Sequence, residues 1–360
     1  MARSLLLLYI FLALTFFSTL QAAHHDEAVS HWKIFYPTIP IPPLVSQHIS
    51  QMKSDEIDTV VSLIHTKTLS SNVPFFCKTA GLICSTDEIP KELLPNLMIH
   101  CYPVYNYQKP QAKLTDASAA MTKKTLADTR KKTLGVYFRE STLKNGRRFN
   151  MGEIKREVVP AKAFLPQSIA SLLTLEQSAS LFSNTTIGHM AGMTIHMCSA
   201  KTPGEETSKC LSSVEELVEF INGIYPDKRV KILYPQSTKG EHITVSLENI
   251  RPLLREGSNK FVACHRAFFP YTVMYCHMTT DIQVYQVDFV HPKTLDTINA
   301  DMVAVCHRNT SSWSPTHVAI VALRTRPGQG EICHWMSTES MVFLHLDDTL
   351  SGKIDGGLQE

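Results

Sequence analysis

The chain opens on a 13-residue, predominantly apolar run from Leu5 to Phe17, preceded by Arg3 and followed by the small residues Ala22 and Ala23. A charged start, an apolar centre of this length and a small-residue exit predict a cleaved secretory signal over residues 1–23. The run falls short of the ~20 residues that cross a bilayer, and no second run of that length follows. The mature chain is therefore expected to be soluble and extracytoplasmic. Residues 24–110 show no sustained periodicity, and Pro37, Pro40, Pro42 and Pro43 within HWKIFYPTIPIPP favour an extended course over a helix. From 109 to 133 the chain is rich in Lys, Ala and Thr, with Lys123-Lys124 and Arg130-Lys131-Lys132, as in a solvated linker.

From about Thr133 to Leu346 the apolar pattern strengthens. Ile169 to Phe182 carries helical spacing, and Ser213-Val-Glu-Glu216 is a capping box before the apolar stripe Leu217, Phe220 and Ile221. Short β-branched and aromatic runs then predict strands at 229–234, 242–247, 261–264, 272–277, 282–289, 302–307, 317–323 and 341–346. The fold class is α+β: a few N-terminal helices followed by a largely antiparallel, disulfide-stapled β-sheet domain. Four parts follow, namely signal 1–23, Pro-containing region and basic linker 24–132, main domain 133–346 and tail 347–360.

Composition narrows the function classes. The 360 residues are 44% hydrophobic, with 35 Lys+Arg against 33 Asp+Glu, enough for a sizeable core and too balanced for a nucleic-acid binder. The sequence contains no G-x-S-x-G, H-E-x-x-H, Walker loop or G-x-G-x-x-G in a strand-to-helix context. Secretion changes how the nine cysteines are read, because thiols pair in an oxidising compartment, and an odd number leaves at least one over. Cys198 and Cys210 bracket a Pro-Gly turn, and a disulfide there would stabilise by about 3 kcal/mol in the chain-entropy model. Asn184-Thr-Thr and Asn309-Thr-Ser are glycosylation sequons compatible with a secreted chain.

The most informative pattern is the dipeptide Cys-His, which occurs four times: Cys264-His265, Cys276-His277, Cys306-His307 and Cys333-His334. Chance would give well under one such dipeptide from nine Cys and 16 His. Each is expected within or at the end of a strand, where neighbouring side chains point to opposite faces. If the strands share one sheet, the cysteines gather on one face and can close as two disulfides. The histidines then gather on the other, where neutral imidazoles suit copper or zinc. The alternative is that the cysteines staple the sheet and the histidines merely pack beside them. A Cys2His2 zinc site fits less well, because its ligands come at spacings such as C-x2-C. A cysteine nucleophile is excluded by the same geometry, since adjacent strand residues cannot meet and oxidised cysteines cannot attack.

With intervals of 10, 28 and 25 residues, the four Cys-His dipeptides resemble the hallmark of plant BURP-domain proteins. Tyr137-Phe138, Leu143, Gly146 and the Cys198/Cys210 pair add to the resemblance, which covers about 133–346. The signal and the segment from His31 to Pro40 are similar to the short seed-protein and BNM2-like branch. The second interval is slightly long, and Phe343 stands where the family usually carries a Trp beyond the last Cys-His. The resemblance implies a secreted, glycosylated protein of the cell wall, apoplast or vacuole, linked to seed, reproductive or stress biology. It implies a non-enzymatic role, with copper at His265, His277, His307 and His334 as the cofactor. Cell-wall polysaccharide or a wall protein would be the partner, and neither nucleic acid nor a membrane span enters. The family's other activity is copper-dependent peptide cyclisation, which crosslinks a Tyr or Trp side chain within a peptide substrate. A self-modifying member needs a core peptide, for which Ile34-Phe35-Tyr36-Pro37 and the segment Tyr102–Tyr107 are the candidates, with Tyr36 and Tyr107 as the crosslinking tyrosines.

Overall fold

The computed structural model describes residues 23–89, 135–153, 162–199, 207–235, 241–257, 260–315 and 317–350. The signal segment, the basic linker, Cys101 and Tyr107 lie outside them.

Two antiparallel sheets are stacked face to face. The strands are β1 (Tyr137–Phe138), β2 (Arg148–Glu153), β3 (Ser208–Leu211), β4 (Val230–Leu233), β5 (Glu241–Pro252), β6 (Phe261–Ala267), β7 (Val273–Thr279), β8 (Ile282–Val290), β9 (Thr297–His307), β10 (Ile332–Trp335) and β11 (Ser340–His345). One sheet runs β1-β10-β9-β8-β5-β2 and the other β3-β7-β6-β11-β4. Between them lies an apolar layer in which Phe261, Ala263, Val342 and Leu344 from one sheet meet Val284, Val303, Val305 and Met336 from the other. The period of two in each strand places the alternate residues on the outer faces.

Those outer faces carry their own cores. Cys264, Cys276, Met341 and Phe343 pack beneath two helices, α1 (Ala23–Phe35) and α8 (Val214–Ile224). On the far side of the other sheet, Cys306 and Cys333 lie with Phe138, Phe149, Phe289 and Trp335. Trp335 is packed edge-on by Phe289 at 4.7 Å and tilted against Phe138 at 4.8 Å. The position where a Trp was anticipated, Phe343, is fully buried, and its carbonyl accepts the Tyr225 hydroxyl at 3.2 Å.

The N-terminal reading needs correcting. Where a loose, extended course was expected over 24–110, residues 23–79 form α1, α2 (Pro43–Ser46), α3 (Ser54–His65) and α4 (Val73–Thr79). Trp32 and Tyr36 on α1 and its exit are buried to 0% and 1% exposure among the side chains of α8. The prolines do not oppose this, because Pro37 follows the end of α1 and Pro43 occupies the first turn of α2, where a missing N–H costs nothing. Helices α3 and α4 join α5 (Gln167–Ala170), α6 (Leu175–Ser180) and α7 (Thr186–Ser199) in a separate cluster against the β6–β7 connection at Phe268–Tyr271.

Two other elements differ from expectation. The helix anticipated over 169–182 is two short ones, because Thr174 caps a new start, accepting from the Gln177 amide at 3.2 Å while Gln177 reaches back at 2.9 Å. The strand anticipated at 317–323 is the helix α9 (Val318–Leu323). VAIVAL has strand propensity, yet His317 caps its start, Arg324 ends it at φ 51°, and Ala319 and Ile320 pack on Ile332. The expected cap of α8 is present: Ser213 Oγ accepts from the Glu216 amide at 3.0 Å, while the Glu216 carboxylate reaches the Ser212 amide at 2.7 Å. No helix among the described residues is long and apolar enough to cross a membrane.

Candidate functional site

The two β ribbons that carry the Cys-His dipeptides have the same construction. Cys264 lies directly opposite Cys276 on β6 and β7, and Cys306 directly opposite Cys333 on β9 and β10. Opposed cysteines on antiparallel strands are close enough to bond without moving the backbone, and both pairs are disulfides, with Cα–Cα separations of 4.0 and 3.9 Å. Cys198–Cys210 and Cys77–Cys84 form the other two. Each histidine follows its cysteine by one residue and so turns to the opposite face, where His265 and His277 become diagonal neighbours, as do His307 and His334.

The expectation of one sheet with two faces fails here in an informative way. The dipeptides are divided between two sheets, with the disulfides on the outer faces and the histidines on the inner. His265 shares its face with Phe261 and Ala263, and His307 shares its face with Val303 and Val305, so the histidines lie at one end of the layer between the sheets.

Within each pair the rings stack with centroids 5.4 Å apart, tilted by 23° for His265–His277 and 17° for His307–His334. In both pairs the Nε2 atoms approach to 3.3 Å. The Nδ1 atoms are engaged elsewhere: His265 with Ser340 Oγ at 2.9 Å, His277 with Thr279 Oγ1 at 3.0 Å, and His334 with the Trp335 carbonyl at 3.3 Å. A carbonyl only accepts, so neutral His334 carries its proton on Nδ1, and a hydroxyl accepts as readily as it donates. In each pair one Nε2–H donates to the other Nε2, as His307 does to the unprotonated His334, so a metal held there would take the place of the shared proton.

Burial keeps these rings neutral. It holds the His265 and His307 pKa values well below the usual imidazole range, helped by the neighbouring histidines, and lowers that of His277 to about 4. His334 is lowered by burial as well, with the Trp335 carbonyl opposing. The field of His334 acts on His265 and His277, and that of His277 and His265 acts on His307, so the two pairs share one environment across the sheets.

These donors fit a metal two at a time. Two nitrogens bound at ~2.0–2.1 Å in a tetrahedral arrangement stand about 3.3 Å apart, the separation found in each pair. Among the described residues no three His, Cys, Asp or Glu side chains are grouped around a single point.

Sequence reasoning missed His317, which the strand assignment placed in a sheet. It caps α9, with Nδ1 accepting from the Ala319 amide at 3.2 Å. Trp313 joins it to the centre, its ring 4.4 Å from His317 and 5.0 Å from His307. Tyr275 stacks on His277 at 5.4 Å, and Tyr137 approaches His334 at 6.2 Å. The signal for His317 was available as a histidine four residues past an isolated Trp, outside any Cys-His dipeptide.

The remaining candidates fall elsewhere. Asn184 and Asn309 are exposed, and the Asn309 side chain accepts from the Ser311 amide at 3.1 Å. Tyr36 is buried, far from the exposed position a core-peptide tyrosine needs, and burial raises its hydroxyl pKa above the usual phenol range.

Residues 136–345 match the family model described as BURP domain. The chain is 33% identical over 219 residues to BURP domain-containing protein 16 of rice, covering 59% of this chain and 63% of that protein. It is 32% identical over 221 residues to the polygalacturonase-1 non-catalytic subunit beta of tomato and over 228 residues to polygalacturonase 1 beta-like protein 2 of Arabidopsis thaliana. Each of these two alignments covers 59% of this chain and 35% of the relative, so the likeness spans about a third of those longer proteins.

Proposed function

The chain belongs to the BURP-domain family, and on that premise we propose that it is a non-enzymatic, secreted protein of the plant cell wall that binds copper through its paired histidines. The reading rests on one observation: two histidine pairs with Nε2 atoms 3.3 Å apart, held neutral by burial, with His265, His277 and His334 oriented through Nδ1. His265 with His277, and His307 with His334, would hold the metal, which when bound supplies a Lewis-acidic and redox-capable centre between the sheets. The disulfides fix the spacing of the ribbons, and Ser340 and Thr279 fix the rings of His265 and His277, while His265, His277 and His334 remain partly exposed.

The names of the tomato and Arabidopsis relatives refer to a non-catalytic polygalacturonase subunit and to a protein like it. They support a wall location and a role in association, with a wall protein or polysaccharide as partner. A second reading, copper-dependent cyclisation of a peptide, draws on the same histidines. The burial of Tyr36 argues against the segment around it as an internal core, and the other candidate, Tyr102–Tyr107, lies outside the described residues.

The test is metal analysis of the purified protein after equilibration with copper(II) or zinc(II), with H277A and H307A alongside. Copper is expected to be retained by the wild type and reduced in each variant while circular dichroism stays native. Loss of metal and fold together, or no retention by the wild type, overturns the reading. Peptide-mapped mass spectrometry on the same samples, with added Tyr-containing peptides, reports the cyclase alternative as a copper-dependent loss of two hydrogens outside the disulfides.

A further inference from the structure

The layer between the sheets opens away from the histidines. Strand β4 is the last of its sheet, while the facing sheet continues past β9 and β8 to β5 and β2. Between β4 and strands β8 and β9 lies a cavity of about 420 Å³. Ile232, Leu233 and Tyr234 wall it on one side, and Gln286 with residues 298–301 and 303 on the other. Alternation places Asn299, Asp301 and Val303 on the same face of β9 as His307, with Asn299 about 25 Å from His307 along the strand.

The lining combines apolar surface with amides. Leu233 and Val303 belong to the apolar layer between the sheets. Asn299 is a primary amide only 3% exposed, on a face that farther along carries Val303 and Val305. Gln286 and Tyr234 are half-buried, and Asp301 is exposed. Around Asp301 the charges offset one another. Arg251 Nη2 donates to Asp301 Oδ1 at 2.7 Å, and the Asp301 amide donates to Asp288 Oδ1 at 3.0 Å. Lys231, on the β4 side, feels both Asp301 and Arg251. Two carboxylates thus stand with two cations, and a charged ligand would meet no net opposite charge.

What the lining offers instead is two amides and a phenol, each able to donate and to accept, beside Leu233, Ile298 and Val303. Sugar hydroxyls need partners of that kind, and the C–H faces of a sugar ring need apolar or aromatic surface. A volume of this order is that of a small-ligand site. We propose that the cavity binds an uncharged saccharide, with the Asn299 and Gln286 amides taking its hydroxyls and Tyr234, Ile298 and Val303 its ring faces. The site is separate from the histidine centre. It gives a wall polysaccharide a place to dock, and in that respect the inference rests on the wall association proposed above.

The test titrates the full 15N-labelled protein with cellotetraose, xylotetraose and galactotetraose, and with tetragalacturonate as the charged counterpart. A neutral probe is expected to bind more tightly than tetragalacturonate and to shift the amide signals of residues 232–234, 286 and 298–303. N299L is expected to weaken that binding about fivefold, the effect of one lost hydrogen bond. A300W fills the cavity from an exposed position and is expected to abolish binding, which keeps the test alive where N299L fails to fold. Preference for tetragalacturonate overturns the uncharged class. Shifts confined to another face, or unchanged affinity in A300W, overturn the cavity and leave a polysaccharide partner in place. Where no probe binds, cosedimentation with isolated cell-wall material separates the two failures. Retention there overturns the saccharide cavity alone, and no retention overturns the wall reading with it.

Discussion

His48 sits at 5% exposure with its Nε2 2.8 Å from the guanidinium of Arg266, which in turn pairs with Glu339. An arginine only donates, so Nε2 must accept, and the ring is held neutral. Burial first and the Arg266 charge second lower its pKa to about 4, with the Leu44 carbonyl opposing. The unfolded chain protonates near the ordinary value of about 6.5, so between the two values the unfolded state binds more protons. The stabilisation is complete above pH ~6.5 and is lost as pH falls toward ~4, on the order of 3 kcal/mol in all. In H48Q, the dependence of unfolding free energy on pH over that window should be shallower by about one proton, measured by urea titrations at stepped pH. An unchanged slope would show that His48 is protonated in the native state.

The Cys-His dipeptides carry a second residue-scale prediction. Their disulfides close loops with sequence separations of 12 and 27 residues, for which the chain-entropy model gives about 3 and 3–4 kcal/mol. C264A/C276A and C306A/C333A should each lower stability by that order, the second slightly more, as read in chemical denaturation. That the cysteines and histidines of these dipeptides face opposite ways was legible from adjacency alone, because strand side chains alternate whatever the fold. His317 was not legible, since its role comes from a cap that its β-like neighbours hide.

At the scale of elements, caps outweighed propensity. Helix α8 was anticipated from Ser213 and Glu216, and it forms there. Ser213 Oγ also donates to the Gln167 side chain at 2.5 Å, tying α8 to α5. S213A should cost about 1–2 kcal/mol, visible as a lower melting temperature, whereas S213D, which restores a cap acceptor, should recover part of the loss. Equal loss in both variants would locate the effect in the Gln167 contact. Thr174 and His317 show the reverse case: each starts a helix in a stretch whose apolar pattern suggested something else. Periodicity senses the buried face, while the cap decides where the backbone changes course.

Across the whole molecule, the N-terminal helices and the sheets share their cores. Trp32 and Tyr36 pack among residues of α8 and the outer face of the β6–β11 sheet, and the Trp32 indole donates to the Ile39 carbonyl at 2.9 Å. Removing the indole in W32A should cost about 3–5 kcal/mol. Because the core is common, fluorescence and far-ultraviolet dichroism should report one shifted transition. Two separate transitions would mean that the N-terminal helices fold as an independent unit.

The sequence by itself determined the composition of the centre. Four Cys-His dipeptides, each on a strand, oblige every histidine to turn away from its cysteine. It also determined the α+β class, through one capped helix and a succession of short β-branched runs. Only the tertiary structure decided that the dipeptides belong to two sheets, that their histidines meet at the end of the layer between them, and that a fifth imidazole joins through Trp313. The reason is range: alternation and capping act over one to four residues, whereas sheet stacking brings together strands such as β6 and β10 that are about 70 residues apart. Such contacts arise from burying complementary apolar faces, a property no single stretch of sequence carries.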